Sequence, residues 1–252
     1  MQKGIRFARV FGIDFILDPS WFIIFAFMVW SLTGHYLMVY DGWSFGARLT
    51  LALTTALLFF ASVIGHELGH SLLAIKLGVP VRRITLFVFG GAAEMSREPR
   101  YPRDELLIAL AGPAVSFALW LGFGFLRSLG ASLGSAGLEA LGAWLTTINL
   151  SLALFNLIPG FPLDGGRVLR ALLWWRSGNL LFATRLAANL GRVIALGFVA
   201  VGFWQGMTAT WINGLWFALI GWFLWNAATS SLNQAKLEVG FEGRSAQDLQ
   251  SD

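Results

Sequence analysis

Apolar residues run along this chain in long stretches separated by short polar ones. Six stretches can cross about 30 Å of hydrocarbon as helices. They are residues 21–39, 49–77, 106–126, 138–157, 180–204 and 211–231. Two segments depart from that pattern. Val81 to Met95 is rich in β-branched and aromatic residues and carries Gly90-Gly91 as a turn signal. It predicts a short hairpin between the second and third spans, dipping into the membrane where protein or a cavity covers its backbone. At the start of the fifth span, Arg185, Asn189 and Arg192 fall at i, i+4 and i+7. That polar stripe predicts a half-helix lying partly in the interface, with snorkelling arginines. The expected fold is an all-α polytopic membrane protein of six transmembrane helices, with a short membrane-associated β-hairpin between helices 2 and 3. Residues 1–231 form one core. Residues 232–252 form a cytoplasmic tail that resembles a truncated linker to a regulatory domain.

Composition agrees with the pattern. Hydrophobic residues make up 56% of the chain and charged residues 13%, against about 25% charged in soluble domains. The first twenty residues carry Asp14 and Asp18 and lack a small-residue cleavage site, so they do not read as a cleaved signal peptide. With the N-terminus cytoplasmic, sixteen of the 18 Lys and Arg fall in cytoplasmic segments, leaving only Arg48 and Arg127 outside. The positive-inside rule then places both termini in the cytoplasm of a multi-pass cell-membrane protein. The pI near 10.0 is thereby a topology signal, and no nucleic-acid partner is expected.

Candidate chemistry sits in the second span. His66-Glu67-Leu68-Gly69-His70 is the His-Glu-x-x-His pattern of zinc hydrolases. On a helix, His66 and His70 share one face and can aim ring nitrogens at one metal ion. Glu67 stands beside that ion, where it can take a proton from the attacking water. Ionisable residues inside a span are costly and mark function. Lys76 follows His70 by six residues, about 9 Å along a helix, so water can reach the motif from the cytoplasmic side. Gly65 and Gly69 read as close helix packing.

A catalytic zinc takes three protein ligands and keeps one position open. The chain has no Cys and one other histidine, His35, near the outer end of the first span, which is badly placed. Among the acids, Glu94, Glu98, Asp104, Glu105 and Glu139 are expected in loops. Asp164 differs. It lies in the run Asn156-Leu157-Ile158-Pro159-Gly160-Phe161-Pro162-Leu163-Asp164-Gly165-Gly166-Arg167. There prolines break the fourth span and glycines permit turns closed to other residues. Asp164 then either faces a cavity between apolar flanks or caps the helix that begins at residues 165–168.

The two runs together resemble the site-2 protease family of intramembrane zinc metalloproteases. Gly12-Ile13-Asp14 with Pro19-Ser20-Trp21, Gly90-Gly91 before Ala92-Ala93-Glu94-Met95, and Ala111-Gly112-Pro113 resemble it too. The resemblance covers roughly residues 5–230. It implies one Zn²⁺ held by His66, His70 and Asp164, Glu67 as catalytic base, and Asn156 orienting the substrate or stabilising the oxyanion. It implies single-span membrane proteins as substrates, cleaved in or near the bilayer, and some relatives carry a cytoplasmic regulatory domain. Three other readings fit less well. A prenyl-protein type of protease needs a downstream Glu ligand, and after Glu139 only Glu238 and Glu242 remain, in the tail. A metal transporter needs polar positions on more than one span. A catalytically dead scaffold would usually have lost Glu67 or a ligand.

Overall fold

The computed structural model describes residues 4–208 and 210–248. The chain divides into two compact units, Met1–Pro99 with Leu110–Leu154, and Arg100–Ala109 with Phe155–Asp252. Among the described residues, six helices are long and apolar enough to cross a membrane, as the hydropathy pattern requires.

The first unit begins with β1 (Ile5–Val10) and β2 (Ile13–Leu17), an antiparallel pair turning through Phe11 and Gly12, both at positive φ. This hairpin was not expected from the sequence. Asp18 then caps α1 (Pro19–Val39), accepting hydrogen bonds from the Ser20 N–H at 2.9 Å and the Ser20 hydroxyl at 2.6 Å. Those two bonds hold the Asp18 carboxyl below the usual carboxylate range. Ser44 caps α2 (Phe45–Lys76), a 32-residue helix about 48 Å long. Gly78, at φ +79°, ends it.

β3 (Val81–Phe87) and β4 (Gly90–Met95) form the expected hairpin. Its turn is Val88-Phe89, and Gly90-Gly91 open the second strand rather than make the turn. β2 pairs in parallel with β3, so the two hairpins join into one sheet ordered β1-β2-β3-β4. One face of that sheet carries Ile13, Phe15, Ile84 and Leu86, all at most 3% exposed. β3 and β4 pack against α2. Residues 110–132 of α3 (Pro102–Ser132) and residues 136–154 of α4 (Ala136–Asn156) complete this unit. Near the C-terminal end of α1, Tyr36 is buried against Thr55 of α2, their hydroxyls 3.1 Å apart.

The second unit holds α5 (Asp164–Ser177), α6 (Leu180–Thr208) and α7 (Trp211–Asp248). α6 and α7 pack closely because Gly202, Gly214 and Gly221 leave no room between them. A Cβ on Gly202 would stand 2.7 Å from the Gly214 carbonyl oxygen, and one on Gly221 would stand 2.7 Å from that of Ala195. Of the expected polar stripe, Arg192 turns to α7. Its Nε donates to Thr229 Oγ1 at 3.2 Å, and its guanidinium lies 5.7 Å from the Trp225 ring centre. α7 continues past residue 231 as helix to Asp248, into the segment read from the sequence as a tail. Residues 249–252 of that tail lie outside the described residues.

Candidate metal centre

α2 is a helix at this point because Val63 to Ile75 carries no proline, and its glycines are paid back in packing. A Cβ on Gly69 would sit 2.8 Å from the Ala111 carbonyl oxygen and 2.9 Å from a Val115 methyl, so α3 crosses α2 at close range. Gly65 makes only ordinary contacts with Val115 and Leu119. The expectation of close helix packing therefore holds at Gly69.

That crossing sets the histidines. His66 and His70 are each 3% exposed, and their Nε2 atoms stand 3.2 Å apart. Two ligand nitrogens on a tetrahedral zinc, each at 2.0–2.1 Å, lie about 3.3 Å apart. The pair therefore has the spacing that one zinc ion requires. Ser116 of α3 fixes the His66 ring through a 2.8 Å hydrogen bond between its Oγ and Nδ1. With Nε2 given to a metal, Nδ1–H donates to that oxygen, which sets tautomer and orientation together. Gly112 gives both rings their space. A Cβ there would collide with the His70 Nε2 and lie 2.7 Å from the His66 Nε2. The sequence contains Ala111-Gly112-Pro113 as a run, but nothing in the run says that Gly112 faces the ring nitrogens.

Glu67, one residue on, meets the sheet. A Cβ on Gly91 would lie 2.6 Å from Glu67 Cγ and 3.1 Å from its carboxyl carbon and Oε1. The first turn of β4 backbone thus passes directly over the candidate base, and only glycine permits it. His35 stands on α1 with its ring 5.7 Å from that of Tyr36, exposed and away from the motif along the sequence.

In the second unit, Asn156 is the last residue of α4 and Asp164 the first of α5. The N-cap of α5 is Leu163, with no side-chain cap, so Asp164 does not cap the helix. It is buried, 8% exposed, in the first turn, where the helix dipole favours a negative side chain. The glycines beside it serve close approach. A Cβ on Gly165 would lie 2.5 Å from the Ile158 carbonyl oxygen, and one on Gly166 would lie 2.6 Å from that of Gly160. None of Gly160, Gly165 and Gly166 has a positive φ, so the expected need for special turns gives way to a need for space.

Phe161 anchors this loop. Its N–H donates to Ala187 O at 3.2 Å, and the Arg170 guanidinium lies 5.1 Å from its ring centre. Arg170 also makes an ion pair with Glu105, the two side chains 6% and 1% exposed. Glu105 was expected in a loop. It stands instead in the first turns of α3, buried in the second unit. The pairing spans 65 positions, beyond any local sequence signal.

The structure thus brings His66, Glu67 and His70 together on α2, and sets Asn156 and Asp164 at the two ends of the Pro/Gly loop.

Comparison with known proteins completes the assignment. The profile of peptidase family M50 matches residues 54–130 and 124–198. A Synechocystis protein with a zinc metalloprotease name is 41% identical over 98% of this chain. Rip3 of Mycobacterium tuberculosis is 36% identical over 96%, and a zinc metalloprotease of Methanocaldococcus jannaschii is 33% identical over 99%. The chain spans 65%, 62% and 66% of the lengths of these three relatives. The solved structure of a site-2 protease from Methanocaldococcus jannaschii superposes with a TM-score of 0.59 at 30% identity, covering 91% of this chain and 95% of that one. By sequence profile, by relatives and by fold, the chain belongs to peptidase family M50, the family of the site-2 proteases.

Proposed function

We propose that this chain is the core of an intramembrane zinc endopeptidase, hydrolysing peptide bonds within or near the transmembrane segments of single-span membrane proteins. The observation that carries this is the pair of buried Nε2 atoms 3.2 Å apart on a membrane-length helix, with Glu67 beside them. Zinc would be held by His66, His70 and Asp164. Two imidazoles and a carboxylate are a donor set that suits zinc and leaves one position open. When bound, the ion would supply Lewis acidity toward water and the substrate carbonyl.

The chain's own groups do the rest. Glu67 accepts the proton of the attacking water and returns it to the leaving amine. Its carboxylate is confined between α2 and the Gly91 backbone, so little reorganisation is needed when the proton moves. The Asn156 amide donates to the oxyanion as charge develops there. A peptide bond inside a helix is shielded, so the substrate must unwind. β4 is an outer strand of the sheet, and its outer edge can pair with the extended segment. The protein lies in the cell membrane with both termini cytoplasmic, the side from which a regulatory domain or partner could act.

The test is to purify the chain in detergent, count zinc, and incubate it with membrane-anchored substrates. Wild type and Glu67→Gln should each bind about one zinc, and only wild type should cleave. Asp164→Ala should bind zinc more weakly. Cleavage by Glu67→Gln would sink the mechanism, and undiminished zinc affinity in Asp164→Ala would sink the ligand assignment.

A further inference from the structure

The β1–β2 hairpin is not used by the proposed chemistry, and its surface is unusual. Directly paired residues of neighbouring strands share a face. Ile5, Ala8 and Val10 therefore lie with Leu17, Phe15 and Ile13, whereas Arg6 and Arg9 lie on the other face with Ile16 and Asp14. The hairpin is amphipathic across its two faces. On β2 the apolar face is covered, with Ile13 and Phe15 0% and 3% exposed. On β1 it is not. Ile5 is 59% exposed and Val10 42%. Phe7, at the irregularity in the pairing, is 48% exposed, with its ring 6.0 Å from that of Phe15. At the tip, Phe11 is 71% exposed at φ 53°, a conformation that glycine or asparagine adopts far more readily. A hairpin selected only for turn geometry would not place an exposed phenylalanine there.

Two observations say what covers this face. The first is continuity with the bilayer. β2 ends at Leu17, Asp18 caps, and Pro19 opens a 21-residue apolar span with Trp21 and Phe22 in its first turn, the position of an interfacial aromatic belt. The hairpin therefore emerges where the chain leaves the hydrocarbon. The second is charge. Arg6 and Arg9 are 62% and 65% exposed, and both reach the single carboxylate of Asp14, at 3.4 and 3.6 Å. One positive charge is left over on this exposed hairpin, a charge that suits anionic headgroups.

We propose that the β1–β2 hairpin is a membrane-surface anchor. Ile5, Phe7, Val10 and Phe11 enter the headgroup–acyl boundary of the leaflet from which α1 starts, and Arg6 and Arg9 meet lipid phosphates. The arrangement is the β counterpart of an interfacial amphipathic helix.

The chain contains no cysteine, so Phe11→Cys carrying an environment-sensitive fluorophore reports the tip alone. The labelled chain is reconstituted into phosphatidylcholine–phosphatidylglycerol vesicles containing lipids spin-labelled at shallow or deep acyl positions. The expected result is blue-shifted emission, stronger quenching by the shallow label than by the deep one, and no effect of iodide present on both sides of the vesicle. Quenching by iodide and not by lipid would place the tip in water. Quenching by neither would place it under protein. Either outcome overturns the proposal. In the same labelled chain, Arg6→Glu with Arg9→Glu should weaken the lipid quenching. Unchanged quenching would remove the arginines from the anchor.

Discussion

The Glu105–Arg170 ion pair offers a sharp test of the packing in the second unit. The perturbation is Arg170→Met, compared with Glu105→Gln and with the double variant. Both side chains are more than nine-tenths buried, so solvent screens their interaction little. Removing one partner deprives the other of this buried counter-charge, at a cost of about 3–5 kcal/mol. Arg170→Met also loses the contact with the Phe161 ring at 5.1 Å, worth about 0.5–2 kcal/mol. Replacing both partners removes the stranded charge, and such double replacements are often neutral or better. The energies should therefore be strongly non-additive, with the double variant more stable than Arg170→Met. At about 2–4 °C per kcal/mol for a chain of this size, the two losses together should lower the melting point of Arg170→Met by about 7–28 °C. Its 12 tryptophans make intrinsic fluorescence in detergent a suitable assay. A melting point within a degree or two of wild type, or additive losses in the double variant, would refute the argument that this pair is buried and coupled.

Two further predictions concern the α2 site. Ser116→Ala removes the hydrogen bond that orients His66 and should weaken zinc binding about 10–100-fold, measured by competition with a chromogenic chelator; unchanged affinity would show that Ser116 does not set the ring. Gly91→Ala places a Cβ 2.6 Å from Glu67 Cγ, so cleavage should fall sharply while zinc content stays constant. Normal cleavage by that variant would show that the carboxylate is not confined by β4.

Much of this protein is determined by the sequence alone, because a span needs only length and hydropathy, which are local. The expected spans 49–77 and 138–157 correspond to helices Phe45–Lys76 and Ala136–Asn156. The zinc motif is equally legible, since i, i+4 spacing on a helix puts His66 and His70 on one face whatever surrounds them. The tertiary structure alone decides what depends on residues distant in the chain. β1 and β2 are short, lack a standard turn dipeptide, and belong to a sheet only because β2 pairs with β3 across more than sixty residues. Glu105 reads as a loop acid until Arg170, 65 positions on, is beside it. In the sequence, Gly91, Gly165 and Gly166 read as turn positions and Gly112 only as part of a run that resembles the family. The fold shows that they are places where backbone must pass within van der Waals contact of Glu67, the two histidine rings, or the loop before Asp164. Hydropathy fixes which segments enter the membrane. Close packing between segments fixes where the His66 and His70 nitrogens and the Glu67 carboxylate point, and no local pattern encodes it.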